Sequence, residues 1–130
     1  MKQTAFRSIL VLCLMAMASS ITLAADADIA PKLVGKWEGK WIFGSAGGKL
    51  TAEITAAEGT KLKGEATWFG TAAGDLKLPF GSAEIKDGTV KIDQMYNLSL
   101  AGKVSEDAKL MTGTWESAAG NGPMELKKID

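Results

Sequence analysis

Histidine is absent from this chain, and its only cysteine and only arginine, Cys13 and Arg7, both lie near its start. Without histidine, the side chain best matched to proton transfer near neutral pH is missing, and so is the commonest metal ligand. Without a cysteine beyond Cys13 there is no thiolate nucleophile, no disulfide and no soft ligand for a transition metal. Past Arg7 every cation is a lysine, scattered singly apart from Lys127-Lys128. Nucleic-acid recognition leans on clustered Lys and Arg, so no nucleic-acid partner is expected. Carboxylates, lysines, hydroxyls and Tyr96 remain for chemistry. Most carboxylates alternate outward, Asp87-Gly88 and Glu106-Asp107 read as turns, and no run matches a calcium loop. No nucleophile is paired with a base. These absences argue against an enzyme, a cofactor and a metal, and no catalytic residue is assigned.

Residues 1–25 read as a bacterial Sec-type signal peptide. Lys2 and Arg7 precede an apolar run from Ile9 to Met17, and small residues lead to Thr22-Leu23-Ala24-Ala25, with processing expected after Ala24 or Ala25. The apolar run is too short to span a bilayer comfortably. Leu12, where a small residue would be needed, argues against lipid attachment at Cys13. The product is therefore expected in the periplasm or secreted, with no membrane association after cleavage. The mature chain divides into an N-terminal arm, 26–34, and a single domain, 35–130. Removing Lys2 and Arg7 from 15 cations leaves 13 against 15 acids, a net charge of −2. A chain of this size can bury a core without covalent staples.

What is there is alternation of period two, broken by glycine-containing turns. Gly35 to Phe43 places Trp37, Gly39, Trp41 and Phe43 on one face and Lys36, Glu38 and Lys40 on the other. Lys49 to Ala57 puts Leu50, Ala52, Ile54 and Ala56 inward, and Lys61 to Phe69 does the same for Leu62, Gly64, Ala66 and Trp68. Gly70 to Pro79 reads as the longest irregular stretch. Asp87-Gly88 is the strongest hairpin signal. From Val90 to Val104 the even positions are apolar, small or amphipathic, too long a run for one strand, and a turn is placed near Gln94 to Asn97. Lys109 to Glu116 presents Met111, Gly113 and Trp115, and Met124 and Leu126 close the pattern. The one helical candidate is Asp28 to Val34, with Asp28 placed to cap it and Pro31 limiting its length. Eight short antiparallel strands favour an all-β, up-and-down barrel, because closure removes exposed edges. A two-sheet sandwich is the alternative. An outer-membrane barrel needs an apolar outer face, which the outward lysines and glutamates deny.

Leu33-Val34-Gly35-Lys36-Trp37 resembles the G-x-W opening of the calycin group, which contains lipocalins, fatty-acid-binding proteins and avidins. The resemblance implies an eight-stranded barrel preceded by a helical turn, with Trp37 plugging its base. Gly35 to Gly39 is also similar to the start of nitrobindin-type haem barrels, whose iron needs a histidine this chain lacks. Thr112 to Ala118 with Gly120-Asn121 is similar to a streptavidin strand and biotin loop, but stands at the wrong end of the chain, so biotin is not expected. Periplasmic inhibitors of secreted metalloproteases share the small barrel, the L-x-G-x-W opening and an N-terminal extension, and carry a disulfide that is missing here. At the level of architecture the chain looks like uncharacterised bacterial lipocalin-like modules.

An eight-stranded barrel is just wide enough to be filled by side chains or to hold one small ligand. The indoles fill it, and glycines and alanines at Gly39, Ala52, Gly64, Ala66, Gly102 and Gly113 leave room, either for the indoles themselves or for a ligand. If a pocket exists, its candidate residues are Trp41, Trp68, Tyr96 and Trp115, each combining an aromatic face with a polar tip able to orient a ligand. Gln94 is the one internal amide, or else a turn residue. Two function classes fit these features. One binds a small apolar or aromatic molecule at a barrel mouth; the other engages a protein partner, as an inhibitor does, through the loops and the arm from Asp26 to Pro31.

Overall fold

The structure is a computed structural model that describes residues 26–130; the expected signal peptide, with Arg7 and Cys13, lies outside the described residues. A short helix over residues 26–33 ends in a tight 3-10 turn, Ala30–Leu33. Nine strands come after it: β1 (Gly35–Phe43), β2 (Ala46–Glu58), β3 (Lys61–Thr71), β4 (Gly74–Pro79), β5 (Ser82–Lys86), β6 (Thr89–Asp93), β7 (Ser99–Val104), β8 (Leu110–Ser117) and β9 (Gly120–Lys128). All pairings are antiparallel. β1 joins β2 on one side and β9 on the other, and β3, β5, β6, β7 and β8 complete the ring. The result is a closed eight-stranded barrel with β4 as an extra strand laid along β3.

Period-two alternation decides which side chains enter. Trp37 and Trp41 on β1, Leu50, Ala52 and Ile54 on β2, and Leu62, Ala66 and Trp68 on β3 are buried, while Lys36, Glu38, Lys40 and Glu53 face solvent. Asp87-Gly88 forms the expected tight turn, with positive φ at both residues. In the β7–β8 turn the Ser105 hydroxyl and the Lys109 amide donate to the Asp107 carboxylate and hold its pKa below the ordinary value.

Two expectations need correcting. The stretch read as irregular from Gly70 contains β4, whose Leu76 and Leu78 turn inward and whose Asp75, Lys77 and Pro79 turn out. Pro79 hid the alternation. It is tolerated because Phe80, its neighbour, directs its N–H to Gly64 on β3, so the Pro79 nitrogen faces the side of β4 on which no strand pairs. The strand register also slips between Ile54 and Ala56, so Ala56 is only half-buried instead of continuing the inward series.

The base of the barrel is closed by the N-terminal helix. Ala30 and Leu33 are fully buried, and Trp37, at 1% exposure, donates its indole N–H to the Leu33 carbonyl at 2.9 Å. Asp28, the expected cap, is exposed inside the helix. The buried acid is Asp26, whose carboxylate accepts the backbone N–H groups of Asp87 and Gly88 at 2.7 and 3.0 Å and so latches the helix to the β5–β6 turn.

Candidate functional site

The opposite end of the barrel is formed by four turns: β1–β2, β3–β4, β6–β7 and β8–β9. From Phe43 to Gly48, Phe69 to Gly74, Gln94 to Leu98 and Ser117 to Pro123, none carries a charged residue. The turns at the base are different in kind, with Glu58, Lys61, Lys86, Asp87, Glu106, Asp107 and Lys109. The uncharged end surrounds a cavity of about 340 Å³, lined by Trp41, Trp68, Trp115, Tyr96, Leu76 and the rim alanines Ala72, Ala73, Ala118 and Ala119, among others.

Three indoles form its floor. Trp41 and Trp115 meet edge to face, with centroids 5.5 Å apart and planes at 85°; Trp68 completes a triangle at 6.3 Å from Trp41 and 6.0 Å from Trp115. Such tilted contacts set the positive ring edge against the negative face. Phe43 extends the cluster, its ring 5.5 Å from Trp115. It was expected inside and is 42% exposed, because it is the last residue of β1 and stands at the rim.

Two of the three indoles reach across the neighbouring strand. In the ladder Trp41 lies opposite Gly48, and Trp115 opposite Gly122. With no side chain on the glycine, the Trp41 N–H passes over β2 to the Phe69 carbonyl on β3 at 3.0 Å, and the Trp115 N–H passes over β9 to the Ile42 carbonyl on β1 at 2.8 Å. Each of these two indoles therefore ties together three consecutive strands. Trp68 uses a side chain instead: its N–H donates to the Gln94 Oε1 at 2.8 Å, while the Gln94 amide nitrogen donates to the Leu78 carbonyl at 2.8 Å. Gln94 thus both starts the turn and points inward, linking the β6–β7 turn to β3 and β4. Replacing Gln94 by leucine should leave the buried Trp68 N–H unpartnered and cost about 2 kcal/mol, read as a lowered midpoint in urea unfolding with an unchanged slope.

All four predicted residues are brought together at this mouth, but the chemistry assigned to three of them changes. The indole N–H groups were expected to orient a ligand; all three are committed to protein acceptors, so Trp41, Trp68 and Trp115 offer only their rings. Tyr96 alone keeps an open polar tip, its residue 67% exposed. Not all the inward glycines leave the expected space: a Cβ on Gly39 or Gly113 would overlap a carbonyl of the adjacent strand, so these positions serve close approach of backbone, whereas the room at Gly102 is taken by the Met124 side chain.

The rim alanines, Leu76 and the two glycines under the indoles escaped the sequence reading. A signal for the glycines does exist: Trp41–Gly48 and Trp115–Gly122 share one spacing, Trp-x6-Gly, spanning a tight hairpin. Among the described residues no three carboxylates converge on a point that could hold a metal ion. A larger groove, about 730 Å³, lies outside the wall beside Phe80 and Gly81, where the chain bends between β4 and β5; Lys61, Lys63, Lys91, Glu58, Glu84 and Asp93 line it, a mixed and solvated set. The mouth can exclude water and accept an apolar body, and nothing in it pairs an acid with a base. Comparison of the chain with protein-family models, curated proteins and solved structures found no match.

Proposed function

We propose that this protein is an exported, non-enzymatic barrel that holds a small apolar or aromatic molecule in its mouth. The reading rests on one observation: a cavity of about 340 Å³, within the size range of small-molecule sites, floored by three indoles and free of charged side chains. Among the described residues, Trp37 and the N-terminal helix fill the base. The signal-like residues 1–25 support a periplasmic or secreted location. The Leu33 to Trp37 opening, followed by a barrel with its tryptophan at the closed end, supports kinship with the calycin group.

The alternative, a protein-interaction or inhibitor module working through the arm, has less to stand on. Asp26, Ala30 and Leu33 are buried against the barrel, so the anchoring residues of the arm are occupied in closing the base. Titration with a neutral lipophilic fluorophore tests the proposal, because three of the four tryptophans surround the mouth. Quenching of tryptophan emission that saturates is expected. Ala119→Trp, which fills the rim from an exposed position, should weaken that binding at least about tenfold, some 1.4 kcal/mol. Silent emission, or binding indifferent to Ala119→Trp, would count against the mouth as the site.

A further inference from the structure

Tyr96 occupies a position its side chain makes costly. The β6–β7 turn places Tyr96 at φ +63° and Asn97 at φ +57°, and the Leu98 N–H closes it on the Met95 carbonyl at 3.3 Å. Two successive residues of positive φ define a type I′ turn, which favours Asn-Gly or Asp-Gly. Asn97 suits its place; a bulky tyrosine in the left-handed region is an outlier. The strain is not offset by packing among the described residues, since Tyr96 is 67% exposed and is the most exposed large hydrophobic side chain among them. Strain that persists without local compensation concentrates at functional sites.

The surroundings restrict what could compensate it. Besides the committed indoles, the Thr71 hydroxyl donates to the Gly74 carbonyl and accepts the Ala73 N–H, and the Ser117 hydroxyl accepts the Ala119 N–H. A carboxylate entering this mouth would lose its water and find no cation among the lining residues. Filled at the density of a protein interior, the cavity takes about 250 Å³ of van der Waals volume, the bulk of two or three fused or linked rings.

We infer that the mouth selects a planar aromatic molecule without an anionic group, and that Tyr96 is the flap that closes over it against the indole floor. This inference rests on the mouth being the ligand site proposed above. The flap turns a turn-strain penalty in the free protein into ring contact in the complex, so stability and affinity respond to Tyr96 in opposite directions.

Two neutral-versus-anionic probes and two variants test this on the folded protein. N-phenylnaphthylamine, neutral and aromatic, is expected to bind the unaltered protein at least about tenfold more tightly than parinaric acid, an aliphatic polyene with a carboxylate. Tyr96→Asn, which relaxes the turn, should raise Tm by a few degrees and weaken N-phenylnaphthylamine about tenfold. Tyr96→Phe, which keeps the ring, should retain the affinity. Parinaric acid binding equally well would overturn the ligand class while leaving the mouth as a site. A Tyr96→Asn variant with full affinity, or with a lowered Tm, would overturn the flap. If neither probe binds, the mouth itself fails, and this inference with it.

Discussion

Trp37→Ala should cost about 4 kcal/mol and lower Tm by roughly 20 °C. The indole is 1% exposed at the base of the barrel, and its N–H is the partner of the Leu33 carbonyl. Removing it opens a cavity between the helix and the wall and strands that carbonyl, with little freedom for β1 to collapse because both its edges are paired. Since small domains hold about 5–15 kcal/mol in total, a loss of this size takes much of the margin. Urea unfolding followed by far-UV circular dichroism measures it directly. A loss below about 1 kcal/mol would mean that the helix is not anchored through Trp37. The mouth lies at the other end, so whatever fraction remains folded should still bind the fluorophore with unchanged affinity.

Gly122→Ala is the second large effect, and the more informative one because it adds only a methyl group. A Cβ at Gly122 would overlap the Ile42 carbonyl and come within 3.0 Å of the Trp115 indole nitrogen, so the added atom evicts the hydrogen bond that spans β8, β9 and β1. Overpacking costs about 1–3 kcal/mol and an orphaned buried N–H a similar amount, which gives roughly 2–6 kcal/mol. Gly48→Ala should behave alike, through Trp41 and Phe69. Gly44→Ala is the control. Gly44 has positive φ at a hairpin tip with nothing within 4 Å of a built Cβ, so only backbone strain of about 1 kcal/mol applies. Comparing the three variants by thermal unfolding separates strain from obstruction. Near-UV circular dichroism should change for Gly48→Ala and Gly122→Ala, which displace an indole, and stay constant for Gly44→Ala. Equal losses at all three glycines would refute the bridging role of the indoles.

The gathering of Trp41, Trp68 and Trp115 has a direct consequence for the site. A floor pinned by hydrogen bonds to Phe69, Ile42 and Gln94 is rigid before any ligand arrives. If the mouth binds as proposed, little beyond the β6–β7 turn is left to order, which keeps the entropic cost of association low. It also accounts for the absence of free polar tips at the floor: the same N–H groups that could have read a ligand are used to hold the wall together. On the proposed reading, specificity rests on shape, on the uncharged lining and on Tyr96.

Much of the barrel was legible because side chains on a strand alternate strictly. Lys36, Glu38 and Lys40 against Trp37 and Trp41 settle which face of β1 is inside before any partner is known. Asp87-Gly88 announces its own turn through backbone sterics alone. β4 was missed because two glycines and Pro79 conceal a pattern that depends on only Leu76 and Leu78. Phe43 was misplaced because parity says which face a residue is on and nothing about where the wall ends.

The candidate mouth residues divide in the same way. That Trp41, Trp68 and Trp115 point inward follows from local alternation and was set by the chain itself. Their meeting at one end, the capture of their three indole N–H groups by a distant carbonyl or by Gln94, and the survival of an uncharged cavity above them are tertiary facts. They depend on ring closure and register, which bring together residues 26 to 73 positions apart; no local pattern encodes such contacts, because each needs a third strand to be in place.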